Sequence, residues 1–346
     1  MPAPLLLLRP HASVRAGTGH VLRCLALAQA WREAGGRAVF VLTKGEATPA
    51  ARLAREGCGV HFLDARPGSL KDAARTAGLA LRLRARWIAT DGYCFGAAYQ
   101  RALRASGRRL LVIDDHGEAG EYCADLVLNQ NLHARKELYA RRAPHTRLFL
   151  GPRYALLRRE FLRWKNWRRK TAARARRLLV TAGGSDPANA TAAVLAALKR
   201  VRGVLEARVA LGAANRHASS VRTEAAALPF AAKVLRRPRD MAELMAWAEA
   251  AIAAGGTTAW ELAFMRLPAL LLAIAPNQEA TLRELEREGA AVSLGRFKDW
   301  PPDRFRERLE ALLADGRRRA VMCRRGRKLV DGLGASRLCR RMLALS

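Results

Sequence analysis

Short apolar runs, each followed by a stretch with helical spacing, recur along this chain, and that alternation limits its fold more than any other feature of the 346 residues. A strand buried on both faces reads as an unbroken apolar run, and helices between such strands make the sheet parallel. Residues 5–8 form the first run, and from Val21 apolar residues return at Leu22, Leu25, Ala26 and Ala30, the period of a helix. Further strands are expected at 38–42, 60–63, 86–91, 109–114 and 126–128, with helices at 49–56, 70–84 and 97–106. A second series begins at 177. Its strands are expected at 177–182, 206–211, 233–235, 250–253, 269–274 and 291–294, and its helices at 187–200, 217–226, 241–248, 259–265 and 278–288. Arg-rich helices at 303–315 and 317–345 close the chain. The fold expected is α/β, two Rossmann-like domains at 1–157 and 177–346, joined by a linker at 158–176 dense in Arg, Lys and Trp.

Composition narrows the function classes. The 62 Lys+Arg against 30 Asp+Glu give +32, a field that attracts nucleic acid, anionic lipid or phosphorylated substrates. The arginines are spread over many helical faces, as at Arg82, Arg84, Arg86, Arg101, Arg104, Arg108 and Arg109, with few aromatics between them. That spread favours a compositional bias over a dedicated nucleic-acid surface, and it leaves room for peripheral attraction to an anionic membrane. No run of 18 apolar residues appears, and the apolar stretch at the N-terminus is too short for a secretory signal. The six cysteines show no CxxC spacing and read as reduced thiols of a cytoplasmic protein.

Ligands of parallel sheets lie beyond the carboxyl ends of the strands. At the first such corner stands Ala16-Gly17-Thr18-Gly19-His20-Val21-Leu22-Arg23-Cys24. Gly17 and Gly19 let backbone N–H groups approach a ligand, and the positive end of the helix favours a neutral His20, the form a general base needs. A histidine that caps its own helix or packs under the loop is the plainer alternative. Asp91-Gly92-Tyr93 and Asp114-Asp115 end two other strands; for the aspartate pair, strand-end hydrogen bonding is favoured over a metal, because no third oxygen ligand follows at a fixed spacing. In the second series, Gly183-Gly184-Ser185-Asp186-Pro187 offers a glycine turn with Ser185 or Asp186 as N-cap and Pro187 at the first helical position. Ala254-Gly255-Gly256-Thr257-Thr258-Ala259-Trp260-Glu261 offers a phosphate-sized turn and a carboxylate for a ribose diol, while Thr258 and Glu261 also have the spacing of a capping box. Neither turn carries GxGxxG, which argues against NAD and flavin.

Together these segments resemble the nucleotide-sugar hydrolase of pseudaminic acid biosynthesis and its spore-coat polysaccharide relatives, which share the GT-B fold of MurG-type glycosyltransferases. The resemblance runs over residues 5–290. It rests on Gly17-Thr18-Gly19-His20-Val21-Leu22-Arg23-Cys24, Asp91-Gly92-Tyr93, Ile113-Asp114-Asp115 and Asp125-Leu126-Val127-Leu128-Asn129-Gln130-Asn131. It continues in Leu150-Gly151-Pro152-Arg153-Tyr154, the Gly183 and Gly255 turns, and Asn277-Gln278. One departure is His11, where the family carries aspartate in an Arg-x-Asp-Ala-Ser run.

The resemblance implies a UDP-sugar held between two domains facing across a cleft, with uridine and diphosphate on the second. Glu261 would bond the ribose, Gly255, Gly256, Thr257 and Thr258 the diphosphate, and Gly183, Gly184 and Ser185 would line the same site. His20 would face the anomeric carbon as base or proton relay, helped by Tyr93 and Asn277, with Gly17, Gly19, Arg23, Asp91 and Gln278 as further substrate contacts. No metal or cofactor is implied. The activity expected is inverting hydrolysis of a UDP-linked acetamido-deoxy sugar for a surface glycan; the alternative is a GT-B transferase moving that sugar to an acceptor.

Overall fold

The inner strands of the first series are apolar on both faces, and in the computed structural model, which describes residues 3–11, 19–44 and 50–345, they are covered on both faces, while the edge strands are partly exposed. The chain divides into two compact units, one of residues 1–159 with 332–346, the other of residues 160–331.

Unit 1 begins with β1 (Leu5–Pro10), α1 (Gly19–Glu33), β2 (Arg37–Thr43), α2 (Ala50–Arg55), β3 (Gly59–Leu63), α3 (Leu70–Arg82) and β4 (Ala85–Asp91). It continues with α4 (Ala97–Arg104), β5 (Arg109–Ile113), β6 (Leu126–Asn129) and β7 (Arg147–Leu150). All seven strands are parallel, in the order β3-β2-β1-β4-β5-β6-β7. Side chains alternate between faces along a strand. Leu6, Leu8, Phe40, Trp87, Leu111 and Leu128 therefore pack under α1 in one core, while Leu5, Leu7, Val41, Ile88, Leu110 and Val127 pack with α3 and α4 in the other. The half-buried β7 carries too short an apolar pattern to be anticipated from sequence.

Unit 2 follows α5 (Arg159–Leu162), a single turn at the division. It holds β8 (Arg177–Thr181), α6 (Ala190–Leu198), β9 (Glu206–Leu211), α7 (Ala218–Ala226), β10 (Ala231–Arg236), α8 (Met241–Trp247) and β11 (Ala250–Ala254). Next come α9 (Thr258–Phe264), β12 (Ala269–Ala273), α10 (Glu279–Arg287), β13 (Val292–Arg296), α11 (Pro302–Ala314) and α12 (Gly316–Leu329). Its six parallel strands run β10-β9-β8-β11-β12-β13.

Two expectations are corrected. The final helix is not one but two: the chain turns at Gly332, with φ +84°, and α13 (Gly334–Ala344) packs into unit 1. There Leu338 and Met342 are wholly buried against α1, and Trp87 Nε1 donates to the Met342 carbonyl at 3.2 Å. Helical spacing gives α13 an apolar face but not the sheet it covers. Residues 160–176 are no linker either. Phe161 and Ala175 are wholly buried, and Arg169 donates to the carbonyls of Met245, Ala248 and Met265. Arginines that look like those of a solvated tether serve here as clamps on backbone oxygens.

Candidate active site

In each unit the strand order reverses once, beside β1 and β4 in unit 1 and beside β8 and β11 in unit 2, and ligands of such sheets favour that point. The register sets Pro10 opposite Asp91, and the His11 amide donates to the Asp91 carbonyl at 2.8 Å. His20, in the first turn of α1, comes to the same edge.

Its Nδ1 lies 2.7 Å from Asp91 Oδ1. A carboxylate only accepts, so Nδ1 carries the proton and Nε2 is the basic nitrogen of the neutral ring. Asp91, wholly buried, also receives Arg23 Nε at 2.8 Å and Nη2 at 2.6 Å. Arg23 Nη1 reaches both oxygens of Asp115, at 2.8 and 3.0 Å, and Asn131 Nδ2 donates to Asp115 at 2.7 Å. Burial alone would raise the pKa of Asp91; the charge of Arg23 and the hydrogen bonds from Arg23 and His20 outweigh it and hold the carboxyl far below its usual range. Burial opposes Arg23 too, yet Asp115 and Asp91 lift it above an ordinary guanidinium, and Asp115 is lowered by Arg23. The chain Asn131–Asp115–Arg23–Asp91–His20 thus has three buried charges of alternating sign at its centre and is fixed in geometry.

Asp114 takes the strand-end role expected for the pair. It accepts the His116 and Gly117 amides at 2.8 Å each and the Tyr122 hydroxyl at 2.5 Å. Asn129 binds the Asp115 carbonyl at 2.9 Å and accepts from Asn131, so the Asn129-Gln130-Asn131 motif braces the loop that presents Asp115. Tyr93, 40% exposed, meets His20 edge-on at 5.1 Å, then His116 at 6.0 Å, and His116 stacks on His133 at 5.5 Å. His11 stands beside this group with its Nδ1 buried and without a hydrogen-bond partner among the described residues; burial first, then His20, lowers its pKa. Any Cβ on Gly92 would fall 2.5 Å from that of His11.

The edge of unit 2 is built from backbone. Gly255 lies so close to Leu282 that a Cβ would come within 1.9 Å of its Cδ1, whereas Gly256 faces open space apart from Gln278 Nε2 at 3.7 Å. The loops after β8 and β9 touch as tightly: a Cβ on Gly212 would meet the Gly184 carbonyl oxygen at 2.2 Å. Gln278 Oε1 accepts the Ile274 amide at 3.0 Å, which folds the loop after β12 back on itself. Thr258 is the first residue of α9 and Thr257 its N-cap, without a side-chain capping bond, so Thr258 does not hold the cap position that a capping box with Glu261 would give it. Glu261, 9% exposed, remains in the first turn of α9 at this edge.

The chain is 30% identical over 240 residues to the spore coat polysaccharide biosynthesis protein SpsG of Bacillus subtilis (strain 168), covering 66% of this chain and 67% of that protein. It belongs to the SpsG family. No family model matches it. Among solved structures it is similar to MurG of Acinetobacter baumannii, with a TM-score of 0.70 at 16% identity over 99% of each chain. It is also similar to the spinosyn rhamnosyltransferase SpnG, solved with thymidine diphosphate, with a TM-score of 0.65 at 18% identity over 98% of this chain and 99% of that one. These likenesses give this SpsG-family chain the GT-B fold of glycosyltransferases.

Of the residues expected from sequence, His20, Tyr93, Arg23 and Asp91 do come together in unit 1. Gly183, Gly184, Ser185, Gly255, Gly256, Thr257, Thr258, Glu261, Asn277 and Gln278 all lie at the carboxyl edge of unit 2. Gly17 falls outside the described residues, and Gly19 opens α1. Three expectations change. Arg23 and Asp91, 4% and 0% exposed, spend their polar atoms on each other and on neighbours, so they position His20 rather than touch substrate. The Gly255 amide is not free for a phosphate, since it donates to the Leu272 carbonyl at 2.9 Å. Pro187 does not start α6, which begins at Ala190 with its first two amides held by the Asp186 carboxylate at 2.8 and 3.0 Å. The sequence reading missed Asp115 as the counterion of Arg23, Asn131 behind it, and the imidazoles of His116 and His133. Asp115-His116 and Asn131-Leu132-His133, each just past a strand, were the available signal. Among the described residues no cluster of three or more His, Cys, Asp or Glu is arranged to hold a metal, no disulfide joins any of the six cysteines, and no helix is long and apolar enough to cross a membrane.

Proposed function

We propose that this chain displaces the nucleotide from a nucleoside-diphosphate sugar, with His20 as the general base, in the making of a polysaccharide. The observation that carries this is the 2.7 Å contact between His20 Nδ1 and Asp91, which fixes the tautomer and aims the other ring nitrogen away from the buried carboxylate. A base oriented by a carboxylate is the usual device for taking a proton from an O–H nucleophile. As the nucleophile oxygen bonds to C1, its proton passes to His20 Nε2, the C1–O bond to the diphosphate breaks, and the configuration at C1 inverts. Tyr93 packs against the ring and limits its rotation.

The nucleotide belongs to the edge of unit 2 in this reading. Gly183, Gly184 and Ser185, together with Gly256, Thr257 and Thr258, take the diphosphate, and Glu261 takes the ribose, with Asn277 and Gln278 flanking the sugar. The family resemblance supports these roles, as does the thymidine diphosphate bound to SpnG. UDP is the nucleotide the resemblance implies, and no metal enters the reaction.

With water as nucleophile the reaction is hydrolysis; with a glycan hydroxyl it is transfer. The second reading is favoured by the names of the solved neighbours, a rhamnosyltransferase and the calicheamicin glycosyltransferase among them. Incubation with UDP-linked acetamido-deoxy sugars, followed by proton NMR of the anomeric signal, separates the two. UDP and free sugar in equal amounts without acceptor mark hydrolysis, and UDP release only when a glycan is added marks transfer. His20→Ala is expected to lower turnover by about 10²–10⁴-fold and to leave UDP affinity intact. A fully active His20→Ala protein refutes the assignment.

A further inference from the structure

The arginine excess is not evenly spread. Residues 160–176 and α12, 31 residues in all, hold fourteen Lys and Arg against one acidic residue, Glu160, so they supply +13 of the chain's +32. The structure lays the two stretches side by side within unit 2, in opposite directions. Arg327, near the end of α12, donates to the Lys165 carbonyl at 3.2 Å, and Arg319, near its start, donates to those of Ala172 and Ala173 at 2.6 and 3.1 Å.

Three arginines hold this assembly together: Arg319 is buried, and Arg169 and Arg327 are half-buried on backbone oxygens and on the rings of Trp167 and Phe264. Most of the others face outward. On α12, Arg317, Arg324 and Lys328 fall at intervals of seven and four, one stripe of the helix, and Arg318 and Arg325 stand next to it, all exposed and none paired with an acid among the described residues. Lys165, Arg168 and Lys170 are exposed on the neighbouring strand of chain. On α4, by contrast, the exposed Arg101 pairs with Glu121 and the half-buried Arg104 with Asp125. Between the outward cations lie Trp164 and Trp167, half-buried and edge-to-face at 5.4 Å, the kind of aromatic that settles at a lipid headgroup boundary.

We propose that this surface of unit 2 docks on an anionic phospholipid leaflet. The ligand chemistry is a plane of negative headgroups, met by unpaired guanidinium and ammonium groups with two indoles at their level, so that association is electrostatic and reversible. It is independent of the proposed chemistry at His20.

The test is co-sedimentation of the full chain with vesicles of phosphatidylcholine alone and with about 30% phosphatidylglycerol, in about 0.1 M salt. Binding is expected only to the anionic vesicles, and is expected to fall steeply by about 0.5 M salt, where the field is screened. Each basic residue near such a surface strengthens binding by about fivefold, so Arg317→Gln/Arg324→Gln/Lys328→Gln should weaken it by about 100-fold with an unchanged thermal melt. Arg101→Gln, which removes an already paired charge, should leave binding as it was. The proposal falls if the chain ignores anionic vesicles, if it binds neutral ones equally, or if the triple variant binds like the parent. It also falls if a short oligonucleotide displaces the vesicles through the same three residues at lower concentration, which would make the surface a nucleic-acid site.

Discussion

Two sheets of the same kind end in edges of opposite character. The edge of unit 1 is a line of buried ions, in which Asp115, Arg23 and Asp91 alternate in sign behind His20. The edge of unit 2 is made of loops pressed so close that Gly255 and Gly212 have no space for a methyl group. The first arrangement holds one side chain in a fixed orientation and protonation pattern, which suits proton transfer. The second keeps side chains out, which suits a ligand held by main-chain groups. A parallel sheet thus leaves its edge free to be built from charge or from backbone, and in this chain each unit has taken one course.

Removing Arg23 would break the contrast most strongly. Arg23→Met leaves two buried carboxylates without their cation, and loss of one partner of a buried pair costs about 3–5 kcal/mol. The pH dependence follows from the lowered pKa values of Asp91 and Asp115. Groups whose pKa falls on folding contribute stability above their unfolded value of about 3.9 and lose it as pH falls through the folded value. In the variant, burial without Arg23 pushes both carboxyls up, so acid relieves it. Thermal melts should show the widest gap between parent and variant above about pH 5 and a narrowing gap below about pH 4. A gap independent of pH would mean that Arg23 acts by packing alone.

The sequence carries the layers of this fold better than it carries the network. Residues 5–8 and 250–253 announce buried parallel strands because both faces are covered, and the strand at 206–211 needs no correction. His20 and Asp91 were each legible as site residues from their place after a strand. Their pairing was not, since they are 71 positions apart and meet only because β4 lies beside β1. Arg23 looked like a substrate contact for the same reason: the carboxylates that occupy it come from β4 and from the loop after β5. The displaced helix α13 shows the same limit, because a helix face carries no label for the sheet it will cover.

On the other edge, Gly255→Ala should cost about 1–3 kcal/mol by driving a methyl group into Leu282, and should weaken nucleotide binding by about tenfold. Gly256→Ala should be mild in stability, as its nearest neighbour is the far end of Gln278. Calorimetry with UDP sharpens the comparison. If Gly255→Ala/Leu282→Ala recovers the affinity, Gly255 acts through packing; if Gly256→Ala alone removes it, the backbone at 256 lies against the ligand.

Asp186 gives the smallest effect and the finest test, because it is the one buried carboxylate in the glycine loop of unit 2. It adopts a left-handed φ of +47° and holds the first two amides of α6, so a charge sits where a helix start could otherwise receive an anion. Asp186→Ala removes both bonds and leaves a backbone conformation that alanine tolerates poorly, which together amount to about 1–2 kcal/mol. Asp186→Asn keeps an acceptor and a residue suited to that φ, and should lose less. Neither change is expected to lower UDP affinity, since the carboxylate serves its own helix and repels a diphosphate. If Asp186→Asn melts like the parent but binds UDP more weakly, the carboxylate faces the ligand, and unit 2, like unit 1, uses buried charge for its chemistry.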